Sequence, residues 1–136
     1  MYINSYYKHE HIKGAVIVLF DNKPGIGATF QQIRTTDEEE IAAVVRLLKD
    51  RTVIKTFPDI GPVRSYTSHF YELWIQLITD NNRTLEYKIN SFGHVEVRKG
   101  IDKTSNTLIF GGSSKKWFNE IKALFEEKQQ NPLWSS

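Results

Sequence analysis

Four places in this chain carry residue types that could do chemistry, and each has a spacing that can be tested against what the chemistry needs. His9-Glu10-His11 is the one close histidine pair. On an extended segment, residues two apart project to the same side, which would suit a metal ion. No third ligand is marked by spacing, so the residues read as a solvated N-terminal segment, and His69 has no partner that the sequence identifies. Asp37-Glu38-Glu39-Glu40 offers paired carboxylates, but acid–base work requires one of them in a desolvated setting that raises its pKa. At the start of a helix they are exposed and match the helix dipole. Gly111-Gly112-Ser113-Ser114 could present free N–H groups to an anion, yet it lacks the spacing and lysine of a phosphate-binding loop and reads as a tight turn with a serine cap. His94, in Ser91-Phe92-Gly93-His94, falls beside a hairpin turn on the wet face of a sheet. No serine stands in a nucleophile-elbow pattern, and no glycine fingerprint for a dinucleotide follows a strand. The expectation is a protein with no catalytic residues, no metal site and no cofactor.

Contact chemistry is better represented. Trp74 lies between Glu72 and Gln76 on the polar side of an alternating segment, where a tryptophan is either covered by another element or serves as a contact anchor. The long proline segment or the Trp134 tail could supply the cover. Residues 57–66, Phe-Pro-Asp-Ile-Gly-Pro-Val-Arg-Ser-Tyr, mix apolar side chains with an arginine in the manner of recognition loops. Phe57, Arg64, Tyr66 and Trp74 are the candidate partner-binding residues.

The elements that must position them follow from periodicity. Residues 12–20 read as a buried strand, and Asp21-Asn22-Lys23-Pro24-Gly25 turns the chain toward a second strand over 28–34, forming a hairpin. Thr35 or Thr36 is placed to cap a helix whose apolar stripe is Ile41, Val44, Val45 and Leu48. A short β-prone segment, 52–56, precedes a connection over 56–68, where Pro58 and Pro62 exclude both helix and central strand. From Phe70 the period is two: Tyr71, Leu73, Ile75 and Leu77, then Leu85, Tyr87 and Ile89, then Val95 and Val97, all on one face. A three-residue turn with Gly93 in the bulge position sets Lys88 opposite Glu96 and Glu86 opposite Arg98, two favourable cross-strand pairs. A last strand over 106–110 leads to a second helix with Trp117, Phe118, Ile121, Leu124 and Phe125 apolar. Residues 129–136 read as a frayed tail. The fold expected is α+β: one domain over 1–136 with an ordered core of about 12–128, a mainly antiparallel sheet, and two helices packed on one face.

Composition bounds the function. A chain of 136 residues with 40% hydrophobic and 25% charged residues suits one folded domain. A net charge of +2, with acids interrupting the bases, does not point to a nucleic-acid partner. Without cysteine there are no disulfides and no thiol catalysis. The longest apolar run, 15–20, is far short of a membrane span. The chain begins almost at its first strand, as it would if a leader had been trimmed.

The order of elements, Tyr71-Glu72-Leu73-Trp74-Ile75, the hairpin from Tyr87 to Val95 and the helix from Ser114 to Leu124 resemble small extracytoplasmic domains of lipoproteins from Bacillus-type Gram-positive bacteria. The resemblance covers residues 12–128 and carries no assigned activity. It implies a non-enzymatic extracytoplasmic binding or sensing module with a protein or envelope partner. It also implies a membrane anchor in the full-length form, one that this chain, lacking a lipobox cysteine, does not hold. The alternative is a cytoplasmic inhibitor or immunity-type protein acting by stoichiometric binding through the charged sheet face. A third reading is an enzyme or ligand carrier using a pocket between sheet and helices.

Overall fold

The apolar run over 12–20 forms β1 (Ile12–Lys23) in the computed structural model, which describes residues 11–49, 55–58, 69–92, 95–99, 105–109 and 114–136. Pro24 and Gly25 turn it into β2 (Gly27–Thr35). The Ile26 N–H donates to the Lys23 carbonyl at 3.0 Å and Gly25 has φ +81°, the pattern of a type II turn with proline first and glycine second. The remaining elements are α1 (Glu38–Lys49), β3 (Lys55–Pro58), β4 (Phe70–Thr79), β5 (Thr84–Asn90), β6 (Val95–Lys99), β7 (Ser105–Ile109) and α2 (Ser114–Lys128).

All seven strands form one sheet in the order β2-β1-β4-β5-β6-β7-β3, and every neighbouring pair is antiparallel. The meander β4-β5-β6 has the register that its charges predict, with Lys88 opposite Glu96 and Glu86 opposite Arg98. The tip of that hairpin, Gly93 and His94, lies outside the described residues. Phe57 and Pro58, expected in a connection, belong to β3 at the sheet edge. Proline is tolerated there because an edge strand has one side with no ladder to break.

Both helices cover the same face. Ala15, Ile17, Leu73, Ile75, Leu77, Tyr87 and Ile89 point inward and meet Ile41, Val44 and Leu48 of α1 and Trp117, Phe118, Ile121 and Phe125 of α2 in one buried cluster. Each aliphatic or aromatic side chain withdrawn from water in this way contributes about 1.5–3 kcal/mol, so this layer is the main source of stability. The helices run antiparallel. Trp117, at the start of α2, donates its indole N–H to the Leu47 carbonyl near the end of α1 at 2.8 Å, and Lys128, at the end of α2, pairs with Glu40 in the first turn of α1 at 2.8 Å. The first contact satisfies a carbonyl that the helix end leaves unbonded, and the second sets each charge where its own helix dipole favours it.

Two expectations need correction at this end of the molecule. The cap of α1 is Asp37, whose Oδ2 accepts the Glu40 N–H at 3.1 Å. Thr35 is still in β2, and its hydroxyl accepts the Asp37 N–H at 3.1 Å while donating to the Leu133 carbonyl at 2.7 Å. Residues 129–136 are not frayed. Trp134 is buried and donates its indole N–H to Glu40 at 2.8 Å, and Arg34 and Ser135 exchange both backbone hydrogen bonds at 2.8 and 2.9 Å. One large aromatic side chain with a polar tip supplies the anchor for a segment whose composition resembles a tail.

Candidate partner-binding surface

The inward residues of β1 account for only half of its apolar character. Val16, Val18 and Phe20 alternate with them and lie half-buried on the sheet face that carries no helix. The sequence run reads as a buried strand; the helices cover one side, and among the described residues no helix covers the other, where these side chains stay half-buried. Register places Gln32, Val18, Trp74, Lys88, Glu96, Thr107 and Phe57 in one row across the sheet.

Trp74 is the centre of this face. Its ring lies 4.7 Å from that of Phe20, Phe20 lies 5.8 Å from Phe30, and the Lys88 ammonium stands 4.2 Å above the Trp74 ring. The indole N–H donates to Glu72 Oε1 at 2.6 Å. The contact with Lys88 is a cation–π pair contributing about 0.5–1 kcal/mol at such a site. Trp74 is therefore half-covered by its own sheet neighbours. Trp134 is not its cover, because that residue packs on the helix side against Glu40. A second aromatic pair, Phe70 and Phe92, has centroids 6.0 Å apart beside the β5–β6 hairpin.

The other candidates are distributed as follows. Phe57 has its backbone in β3, opposite Thr107, four strands from Trp74 and thus about 19 Å away. Arg64 and Tyr66, with the rest of 59–68, lie outside the described residues, as do His9, His94 and Gly111 to Ser113. His11 sets Nδ1 3.0 Å from Asp80 and Nε2 3.4 Å from Glu38 on an exposed surface. His69, left without a partner by sequence, bonds Asp21 and lies against the Tyr71 ring at 4.9 Å. Among the described residues no group of three His, Cys, Asp or Glu side chains is arranged to hold a metal ion. Of the first-turn acids, Glu38 and Glu39 are exposed as predicted. Glu40 is not: its side chain is 14% exposed, and hydrogen bonds from Lys128 and then Trp134 hold its carboxyl below the ordinary carboxylate value.

Phe20 and Phe30 are the surface residues that sequence reasoning missed. For Phe20 the signal was present, since β1 stays apolar on both parities and must spend one set on something other than the helix layer; Phe30, among polar neighbours in β2, joins the face only through its register opposite Phe20. Among the described residues the fold is an α+β domain whose sheet has one face covered by both helices and one that no helix covers. Comparison of the chain with family models, with curated proteins and with solved structures gave no match.

Proposed function

We propose that this domain is a non-enzymatic binding module that docks a protein or envelope partner on its open sheet face, held outside the cytoplasm by an anchor as the sequence resemblance implies. The observation that supports this reading is the row of Phe30, Phe20 and Trp74, flanked by Lys88, on the face that neither helix covers. Aromatic side chains backed by a rigid sheet and rimmed by charges are the composition of binding hot spots. The histidines among the described residues, His11 and His69, direct ring nitrogens at surface carboxylates, which suits a structural role for them better than a catalytic one. Phe57 has its backbone at the far end of the Trp74 row, which would extend the surface to that edge; Arg64 and Tyr66 remain candidates from the sequence alone.

The inhibitor or immunity-type alternative uses the same face. It is weighed down by the mixed sign of that face, where Lys88 opposes Glu96 and Glu86 opposes Arg98, because electrostatic steering needs a field of one sign. The deciding experiment expresses the complete native gene in its own host, fractionates the cells and captures the partner with the wild type and with a Phe20→Ala, Trp74→Ala double variant. Recovery on the outer membrane face, with capture reduced at least about thirtyfold in the variant, is the expected result. Cytosolic recovery with salt-sensitive association would favour the inhibitor, and undiminished capture by the variant would remove the open face from consideration.

A further inference from the structure

β2 forms one end of the sheet, and its outer side is bonded, among the described residues, only at Arg34, by Ser135. That one bridge determines which backbone groups are free. Because the N–H and C=O of Arg34 point away from β1, those of Gln32, Phe30 and Ala28 do too, by the two-residue alternation of an antiparallel ladder. The free stretch from Gly27 to Ile33 reads Gly-Ala-Thr-Phe-Gln-Gln-Ile, with no charge and no proline. Natural edge strands are ordinarily protected by charges, prolines or bulges, and this one has none of the first two. Its neighbouring apolar side chains are open as well, Phe30 at 65% and Ile26 at 85% exposure.

We infer that β2 is a dimerisation edge whose partner is a second copy of this chain. An antiparallel pairing centred on Phe30 is self-complementary. Phe30 exchanges two backbone hydrogen bonds with Phe30 of the second copy, and Ala28 and Gln32 do the same with Gln32 and Ala28 of the second copy, so every outward group in the free stretch is used. The Arg34–Ser135 bridge ends the ladder on each side, which fixes the register. The pairing extends the seven-stranded sheet across a two-fold axis. It also brings the Phe30 rings together on the open face, joining the two aromatic rows into one strip.

Analytical ultracentrifugation and single-cysteine cross-linking of the full chain test this, and the native absence of cysteine makes the second measurement clean. The register puts the two copies of residue 30 about 5.5 Å apart between Cα atoms, inside the range a disulfide spans, and the two copies of residue 32 about 14 Å apart, outside it. Phe30→Cys is expected to form a covalent dimer on oxidation and Gln32→Cys to remain monomeric under the same treatment. Gln32→Pro removes an outward N–H without touching the β1 ladder, and Phe30→Lys sets two like charges across the axis. Each should weaken association about tenfold or more while the far-UV spectrum is unchanged. Trp74→Ala, which tests the binding face, should leave the dimer intact. A wild type that is monomeric at every concentration, equal cross-linking at positions 30 and 32, a dimer indifferent to both Gln32→Pro and Phe30→Lys, or a dimer dissolved by Trp74→Ala would each overturn the inference.

Discussion

Glu40 lies in the first turn of α1, where a carboxylate is ordinarily solvated, yet it receives the Lys128 ammonium and the Trp134 indole N–H. These bonds lower its pKa against desolvation, which acts in the other direction, and the same pairing raises that of Lys128. A carboxyl with a lowered folded-state pKa contributes stability that is full above its unfolded value and is lost as pH falls through the folded one. For Lys128 the contribution is full below the unfolded value and is lost as pH rises through the raised one. Glu40→Gln should therefore cost about 1 kcal/mol near neutrality, with the difference from wild type closing in acid. Urea midpoints at neutral and strongly acidic pH measure this, and an equal difference at both would show the charge to be irrelevant. The tryptophans differ in the same way by surroundings: Trp117 is fully buried and Trp74 half-buried. Trp117→Ala should cost about 3–5 kcal/mol and Trp74→Ala clearly less, by denaturant titration. Residue type announces that Trp74 needs an explanation, and spacing alone does not say that Phe20 and Lys88 provide it.

The elements were the most legible level. Alternation over β4, β5 and β6 and the opposed charges at Lys88, Glu96, Glu86 and Arg98 determine both faces and register, because a slip of one residue would invert every side chain. The helix stripes at Ile41, Val44 and Leu48 and at Trp117, Ile121 and Phe125 are equally local signals. Turn chemistry makes its own prediction. Gly25 holds φ +81° in open space, so Gly25→Ala meets no neighbour and should cost only the left-handed backbone penalty, about 1–2 kcal/mol. Equilibrium unfolding gives the value, and a neutral or stabilising result would mean that the turn can change type. The misreadings at this scale are at boundaries: Asp37 instead of Thr35 or Thr36 as the cap, and Phe57 in an edge strand instead of a connection. In both cases the competing residues are adjacent, and tertiary pairing chose between them.

For the whole molecule the C-terminal segment is the decisive case. It closes on β2 through Arg34 and Ser135, on Thr35 through the Leu133 carbonyl, and on α1 through Trp134. Removal of residues 131–136 should lower stability by about 3 kcal/mol and the thermal midpoint by roughly 10 °C, measured by differential scanning calorimetry. An unchanged midpoint would show that the docking carries no energy. Sequence by itself determined the α+β class, the meander with its register, and the inward rows of sheet and helices, because these follow from periods of two and 3.6 residues that any window of the chain displays. Only the tertiary structure decided which parity of β1 the helices would cover, that Trp74 would rest between Phe20 and Lys88, and that a polar-looking tail would be anchored through Trp134. Those outcomes depend on contacts between residues far apart in the chain, such as Glu40 with Lys128 and Arg34 with Ser135, whose geometry exists only once the layers have packed.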